Sequence, residues 1–329
     1  MLTYELEIKL TNIFDVARKA GVSKSTVSRV FSHGYVADAT RRKVILAANE
    51  LNYVPSLLAR QLRDQKTRTI GFIAKSYYPS VGVLLNFVTH FAERKGYNVT
   101  VYFTKSKKDE IRILDNFRLH ALDGLFFVAN RNDWSFIERY AKYGPIVTWR
   151  RIKSNKVYSS FIDHYPLYKE ILEYIYNKYG VQKVGHILND PTKNNTKARL
   201  KAINAIDQKY PNADNQWQLF YPEQEGAGEK AANKFLNNRD APKIIVAYSD
   251  YVAAEFISNL HAQGLRVPND IKVFGFDNSD FGKFMNISTI DTCLNLQVKN
   301  DVNYIISNLE QKDFYKEEIH PRLIKRSTC

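Results

Sequence analysis

Polar side chains near residue 26 have the types and the spacing of a nucleic-acid reader. They share one face of a short helical pattern, opposite an apolar stripe, and they are Lys24, Ser25, Ser28 and Arg29. If this helix enters the major groove, Arg29 or Lys24 can donate to O6 and N7 of guanine, and the Ser25 hydroxyl can donate or accept. The alternative is a face that is merely solvated. Because a turn, a cap and a local excess of positive charge coincide here, the pattern favours DNA contact.

A second candidate for DNA contact is the short, helix-prone segment 55–63. An isolated helix of this length is marginal in water, so we expect it to fold only when bound. Leu58 and Leu62 share a face at i, i+4. A leucine flanked by Arg60 and Arg63 can be wedged between base steps from the minor groove, which kinks the duplex. The alternative is a plain linker whose leucines pack on the neighbouring domain, and the local sequence leaves both open.

Polar residues also follow the apolar runs of the rest of the chain, where parallel-sheet folds place their ligands. These positions are 75–80, Arg150 and Arg151, 189–195, Ser249 and Asp250, and Asp277 and Asn278. A carboxylate such as Asp277 and a forked guanidinium such as Arg199 can fix adjacent hydroxyls of a small polar ligand. Taken alone, Asp277 could equally be a helix or turn cap, and Arg199 a surface ion-pair partner.

Three short helices must position the first set of residues. Apolar residues recur at i, i+3, i+4 and i+7 from Ile13 to Ala20, Gly21 suits a left-handed helix stop, and Ser23 can cap a second helix. A third helix is predicted at about 38–51, and Asp38 can serve as its cap if the helix begins one residue later than Asp38. Two short helices joined by a Gly-containing turn, with a third to complete the core, describe a helix-turn-helix unit.

A different pattern begins at residue 69, where compact apolar runs alternate with amphipathic stretches. The runs are 69–75, 97–103, 123–129, 145–150, 183–189, 243–248 and 271–276. Strand and helix alternating over about 250 residues predicts parallel sheets covered on both faces, with room for two sheets. The fold class is therefore α/β, an all-α headpiece followed by a parallel-sheet core.

Charge and composition narrow the function classes. The chain has 329 residues, 44% of them apolar, which excludes a disordered or fibrous protein. The net charge of +14 suggests a polyanionic partner, and residues 1–68 carry 12 Lys and Arg against 6 Asp and Glu. Charge per residue is about three times denser there than in the remainder, so this segment is the expected contact with nucleic acid or a membrane.

The remaining composition predicts a cytoplasmic protein that does not contact a membrane. Two cysteines, Cys293 and Cys329, are too few and too far apart for a disulfide framework or a thiolate metal site. No apolar run approaches a membrane span, and the first ten residues lack the layout of a signal peptide. Residues 1–10 are expected to be a disordered extension, and the alternative is an upstream start.

Catalytic motifs are absent from the sequence. It contains no phosphate-binding loop, no dinucleotide fingerprint after the first strand, no His-Glu-x-x-His pair and no nucleophile elbow. The seven histidines lack metal-ligand spacing, and His186 lies inside an apolar run typical of a packed core residue. We expect no enzyme activity, no cofactor and no metal.

Residues 12–30 closely resemble the start of the lactose-repressor/galactose-repressor (LacI/GalR) family of bacterial transcription regulators. Further matches to the third helix and the hinge helix lie at 40–44, 50–55 and 59–62. In the core, matches in family order are Asp123-Gly124, Arg199, Ser249-Asp250, 264–270 and 275–277. The resemblance extends from about Thr11 to the end. The N-terminal motif is specific, whereas each core motif alone is weak.

The resemblance implies a homodimer whose paired headpieces read a pseudo-palindromic operator in double-stranded DNA, with two hinge helices that insert Leu62 at the central step. The headpiece is expected at 1–54, the hinge at 55–68 and the effector-binding and dimerisation core at 69–329. The implied DNA contacts are Lys24, Ser25, Thr26, Ser28, Arg29, Tyr53, Ser56, Ala59, Arg60, Leu62 and Arg63.

For the core, the resemblance implies a fold like the type I periplasmic binding proteins, with two subdomains that the chain crosses three times. The N-subdomain is expected at about 69–162 and 293–318, and the C-subdomain at about 163–292 and 319–329. The expected effector residues in the cleft between them are Tyr77, Tyr78, Arg150, Lys193, Asn195, Arg199, Tyr221, Glu223, Ser249, Asp250 and Asp277.

Two positions depart from the family pattern. Arg150 stands where many members carry Asp, and Glu223 stands where an aromatic ring often stacks on the ligand, although Tyr221 or the Tyr77-Tyr78 pair could supply a ring. A pocket of Arg150, Lys193 and Arg199 would be more cationic than one for a neutral sugar. The hypothesis is therefore a repressor of carbohydrate-utilisation genes that responds to a phosphorylated or acidic carbohydrate. The alternative is a solute-binding protein of the same fold without a DNA role.

Overall fold

The computed structural model describes residues 11–32, 34–54, 61, 65–180 and 183–329. The predicted extension 1–10 lies outside these residues, as does the wedge predicted for the hinge. The predicted DNA contacts outside them are Ser56, Ala59, Arg60, Leu62 and Arg63. The chain divides between Thr67 and Arg68 into two compact units. No helix of the described part is long and apolar enough to cross a membrane.

The first unit contains three helices, α1 (Ile13–Ala20), α2 (Lys24–Phe31) and α3 (Asp38–Glu50). Asn12 caps α1 in a reciprocal capping box with Asp15, and Gly21 ends it in the left-handed conformation at φ 65°. The core between the helices consists of buried small apolar residues from all three, which are Val16, Ala17, Val27, Val30, Val44, Ala47 and Ala48.

Helix α3 begins at Asp38 and not one residue later, so Asp38 does not serve as its cap. Ala37 occupies the cap position without a side-chain hydrogen bond, and Asp38 is the first helical residue. The Ala37 carbonyl accepts the first intrahelical hydrogen bond from Arg41 N at 2.9 Å, so the helix begins before Asp38 can cap it. The Asp38 carboxylate lies in the first turn, where a negative charge complements the helix dipole.

The second unit contains two parallel sheets. The first has the order β2-β1-β3-β4-β5 and the second the order β7-β6-β8-β9. The strands of the first sheet are β1 (Thr69–Ala74), β2 (Asn98–Phe103), β3 (Gly124–Phe127), β4 (Ile146–Thr148) and β5 (Tyr158–Ser159). Those of the second are β6 (Val184–Leu188), β7 (Gln218–Phe220), β8 (Ile244–Ala247) and β9 (Lys272–Phe274). An antiparallel pair is formed by β10 (Thr289–Asp291) and β11 (Arg322–Ile324).

Helices cover the sheets and define two lobes of this unit. The helices of the first lobe are α4 (Pro79–Glu93), α5 (Lys107–Arg118), α6 (Trp134–Ile137) and α12 (Leu294–Glu310). Those of the second are α7 (His164–Tyr179), α8 (Asn194–Lys209), α9 (Ala227–Leu236), α10 (Asp250–Ala262) and α11 (Asp280–Phe284). Because α12 packs with α4 in one apolar core and the tail hydrogen-bonds to β9, the chain passes between the lobes three times.

Candidate nucleic-acid interface and effector cleft

Helix α2 presents its polar face outward. Lys24, Ser25 and Arg29 are exposed, and Thr26 and Ser28 are half-buried. The helix is capped by Ser23, whose hydroxyl accepts from Thr26 N at 3.1 Å. The Ser25 and Thr26 hydroxyls lie within hydrogen-bond distance of Ser23 Oγ, and the Lys24 ammonium group lies 4.8 Å from the centre of the Phe14 ring. These groups are on the outer face of the helix, which is where a recognition helix contacts a groove.

Arg41 on α3 positions the end of α2. Its guanidinium donates to Val30 O at 3.3 Å and to Gly34 O at 2.8 Å, so it satisfies carbonyls at the end of that helix. The backbone also turns back at this point, because Gly34 N donates to Arg29 O at 2.9 Å. Arg41 therefore has a structural role, and no local pattern in the sequence separates it from the exposed cations of α2.

Tyr53 follows α3 and is half-buried in the same unit. Its ring packs against Phe31 with the centroids 5.6 Å apart, and burial raises the pKa of its hydroxyl. The ring thus joins the ends of α2 and α3. Any DNA contact from this residue would come from the remaining exposed part of the side chain.

In the second lobe, Arg199 is buried beneath the end of the sheet. It is 4% exposed, donates to Tyr248 O at 3.0 Å, and its guanidinium lies 4.6 Å from the centre of the Phe276 ring. Burial lowers its pKa. Within the described residues no carboxylate lies within ion-pair distance of it, so Arg199 is not a surface ion-pair partner.

Asp277 lies directly after Phe276 with its backbone at φ 108°, outside the ordinary range for a non-glycine residue. Helix α11 is capped by Ser279, so Asp277 does not cap it. Burial and the negative charge of Asp250 raise the pKa of Asp277 well above its usual value, while Arg199 opposes the shift. Across the described part of the chain, its carboxylate accepts no hydrogen bond.

Asp250 lies behind Asp277 and is fully buried. One carboxylate oxygen accepts from Ser279 N at 2.7 Å and from Ser279 Oγ at 3.1 Å, and the other accepts from Thr289 Oγ1 at 2.6 Å. Burial raises its pKa to about 6, although these hydrogen bonds oppose the shift. Both oxygens are occupied, and this carboxylate joins Ser279 to Thr289 on β10.

Three buried polar atoms in this part of the second lobe have no hydrogen-bond partner among the described residues, namely His164 Nδ1, Thr196 Oγ1 and Arg199 Nε. The His164 ring stacks on Phe276 at 4.9 Å, and Thr196 lies one turn before Arg199 on α8. Burial and two nearby arginines lower the pKa of His164, so its ring is neutral. Unpaired buried polar atoms carry a free-energy cost that a polar ligand would relieve.

His164 and Thr196 were not predicted from the sequence. Their signals are positional: His164 is the first helical residue after the chain enters the second lobe, and Thr196 precedes Arg199 by three residues. The fact that they lie beside one ring depends on tertiary packing.

A chain of hydrogen bonds links the two lobes through Ser249, Gln224 and Ser80. Gln224 Nε2 donates to Ser249 Oγ at 2.9 Å, and Ser80 Oγ donates to Gln224 Oε1 at 3.4 Å. Ser249 also caps α10. A second link is the bond from Asn194 Nδ2 to Arg151 O at 2.9 Å.

The remaining predicted effector residues lie around these links. Arg150 is half-buried and its Nε donates to Val128 O at 2.6 Å, while Lys193 is exposed at the start of α8. Tyr77 is exposed, Glu223 is exposed, and Asn195 is half-buried in the first turn of α8. Tyr78 and Tyr221 are partly buried against the apolar cores of the first and second lobes, respectively. In the described part of the chain, no three His, Cys, Asp or Glu side chains converge on a possible metal site.

Comparison with known proteins identifies matches for both units. Residues 12–56 match the family model described as bacterial regulatory proteins, lacI family, and residues 176–329 match the periplasmic binding protein-like domain. The chain is 28% identical over 341 residues to the HTH-type transcriptional repressor PurR of Photobacterium profundum, covering 97% of this chain and 98% of that protein. It is 29% identical over 293 residues to the NTD biosynthesis operon regulator NtdR of Bacillus subtilis, covering 86% of this chain and 88% of that protein.

Solved structures share the fold. The Lac repressor dimer bound to operator and the anti-inducer ONPF superposes with a TM-score of 0.83 at 22% identity, covering 97% of this chain and 99% of that one. A complex of the transcriptional regulator CelR with cellobiose superposes with a TM-score of 0.67 at 18% identity, covering 97% of this chain and 100% of that one. The match with full-length regulators includes both units of the chain.

Proposed function

Because the chain belongs to the LacI/GalR family of bacterial transcription regulators and is not an enzyme, we propose that it is a dimeric repressor of carbohydrate-utilisation genes. It acts in the cytoplasm on a pseudo-palindromic operator in double-stranded DNA. A small carbohydrate-like effector, phosphorylated or acidic, modulates its operator affinity. The observation that carries the proposal is the exposed polar face of α2, which lies on the same chain as a two-lobed core.

In this proposal the headpiece is 1–54 and the hinge is 55–68. Arg29 and Lys24 donate to guanine edges in the major groove, and the hydroxyls of α2 contact bases or phosphates. Two hinge helices insert Leu62 at the central base step and bend the DNA. The positive charge of residues 1–68 supports this arrangement because phosphate contacts supply much of the affinity.

The core 69–329 holds the effector between an N-subdomain of about 69–162 and 293–318 and a C-subdomain of about 163–292 and 319–329. Hydroxyls of the ligand bind to Arg199 and Asp277, with His164 and Thr196 as further polar partners. The unpaired buried atoms of Arg199, His164 and Thr196 support this assignment. Asp250 acts through Asp277, because its own oxygens are already used.

Regulation follows from differential binding. The effector favours one arrangement of the subdomains, the paired hinge helices separate, and operator affinity falls by the coupling free energy. A coupling of about 1–3 kcal/mol changes that affinity roughly 5- to 150-fold. The names of relatives agree with this scheme: PurR is a transcriptional repressor, the Lac repressor dimer binds operator, and CelR binds cellobiose.

The test begins with selection of an operator from randomised duplex DNA by the purified full-length protein. We expect a pseudo-palindromic sequence to be enriched. Release of the protein from this operator is then measured across sugars, sugar phosphates and sugar acids. Failure to enrich any sequence would contradict the repressor and leave a solute-binding protein, which the same ligands would still stabilise.

A further inference from the structure

Cationic side chains follow three neighbouring strands of the first sheet. Lys75 follows β1, Arg131 lies beyond β3, and Arg150 lies beyond β4. These strands are adjacent and parallel in the order β1-β3-β4, so their carboxyl ends lie along one edge of the sheet. Ligands of such sheets bind outside this edge.

A fourth cation, Lys193, reaches this edge from the second lobe. It occupies the cap position of α8, and its neighbour Asn194 donates to the carbonyl of Arg151, the residue after Arg150. The charges are close enough to interact. Burial is the main cause of a lowered pKa at Lys75, and Arg131, Lys193 and Arg150 lower it further.

The nearby carboxylates compensate only part of this positive charge, and of these Glu110 opposes the lowering of the pKa of Lys75. Glu110 is fully buried, and its oxygens accept from the backbone N–H groups of Arg131 and Asn132 at 2.6 and 2.8 Å and from Asn132 Nδ2 at 2.8 Å. Asp190 lies 3.7 Å from Lys193, the longer range of an ion pair. The two carboxylates, Glu110 and Asp190, therefore balance only two of the four positive charges.

The arginine head groups are fixed before any ligand arrives. Arg131 donates Nε and one terminal nitrogen to Thr104 O at 3.0 and 2.8 Å, and Arg150 donates Nε to Val128 O. Both guanidinium groups keep further N–H donors. Lys75 makes no hydrogen bond or ion pair within the described residues, so its ammonium group is available to an anion.

We propose an anion subsite for the phosphate or carboxylate of the effector. It is formed by Lys75, Arg131 and Arg150 of the first lobe, with Lys193 of the second lobe opposite them. The inference rests on the proposed function of the cleft and fixes the orientation of the ligand: its anionic end binds the first lobe, and its hydroxyl end binds Arg199 and Asp277. Without an anion, Lys193 is repelled by the three cations of the first lobe. A bound anion removes this repulsion and favours closure of the lobes.

Inorganic phosphate is the first probe, because it carries the charge without the sugar. The full-length protein is melted with phosphate or with chloride at equal ionic strength, and tryptophan fluorescence reports the second unit, which contains Trp134, Trp149 and Trp217. At about ten times Kd, phosphate should raise Tm by about 3 °C over chloride. Lys75→Gln and Lys193→Gln should bind phosphate about 10-fold more weakly or worse.

Lys105→Gln is the matched control. Lys105 is an exposed lysine beyond β2 at the same sheet edge, but it is not among the charges that act on Lys75. This variant should keep the full phosphate response. An equal response of Lys75→Gln and the wild type would show that phosphate acts elsewhere, for example at the headpiece, and would overturn the subsite; so would the absence of any response beyond chloride.

A second experiment compares glucose, glucose 6-phosphate and gluconate in the same assay and in release from operator DNA. A response to the phosphate or the acid that is lost in Lys75→Gln supports the subsite and identifies the preferred anion. If neutral glucose releases the protein from DNA and neither glucose 6-phosphate nor gluconate does, the subsite is overturned. The repressor function would not be affected by that result. Specific DNA binding is measured without any of these ligands, so failure of the proposed function is recognised separately.

Discussion

Asp250 allows a quantitative test of the buried carboxylate that binds Ser279, two residues after Asp277. Burial raises the pKa of Asp250 to about 6, from 3.8 in an unfolded chain. Between these values the folded state binds more protons than the unfolded state, so the free energy of unfolding falls as pH rises. The stabilising contribution is complete below about pH 3.8 and lost above about pH 6.

From pH 5 to pH 7, these two pKa values give a loss of about 1.3 kcal/mol in the free energy of unfolding. Asp250→Asn removes this contribution because the amide does not titrate. The variant also removes the negative charge that raises the pKa of Asp277, which reduces the pH dependence further. The difference in stability between pH 5 and pH 7 should therefore be at least about 1.3 kcal/mol smaller in the variant than in the wild type.

Urea unfolding followed by tryptophan fluorescence at both pH values measures this difference. Asp280→Asn is the control, since Asp280 is exposed on the neighbouring helix and pairs only with Lys283 among the described residues. It should leave the pH dependence unchanged. If Asp250→Asn and the wild type show equal pH dependence, the claim that burial raises the pKa of Asp250 is refuted. Greater pH dependence in the variant would reverse the sign of the argument.

Three other substitutions test the DNA and effector assignments. Arg29→Ala should weaken operator binding by about 1–3 kcal/mol and relax specificity at one base step, as measured by gel shift, and equal losses on operator and random DNA would contradict base reading. Gly21→Ala places a side chain at φ 65° and should destabilise the headpiece by about 1 kcal/mol. Amide hydrogen exchange in α1 should then become about fivefold faster. An unchanged exchange rate would show that the left-handed backbone at residue 21 accepts alanine without strain. Arg199→Ala should abolish release by effector while leaving operator affinity intact, and a wild-type response curve would exclude Arg199 from the cleft.

Local sequence signals predicted the elements whose causes are local. The first two helices follow from apolar spacing, a capping serine and a glycine at positive φ, all within 20 residues. The seven apolar runs each contain a strand of the two sheets. The short strands β5, β7, β10 and β11 were not predicted. They have two or three residues each, and β11 pairs with a strand more than 30 residues upstream, so no local pattern marks them.

The candidate effector site was only partly predictable for the same reason. Arg199 and Asp277 were named from their chemistry and position. The burial of Arg199 and its unpaired Nε depend on separate elements that meet at Phe276. Arg131 was not singled out, because its place beside Lys75 follows from the strand order, which the sequence does not state. Asp250 has the right residue type for ligand contact, yet tertiary hydrogen bonds occupy both its oxygens.

The central claim is that this chain reads a specific DNA sequence through α2. The most direct measurement is a fluorescence anisotropy titration of the full-length protein with its selected operator and with a shuffled duplex of equal length, at one fixed salt concentration. We predict that the operator binds at least about 1,000-fold more tightly than the shuffled duplex. Equal affinity for the two duplexes would contradict sequence-specific recognition and, with it, the repressor.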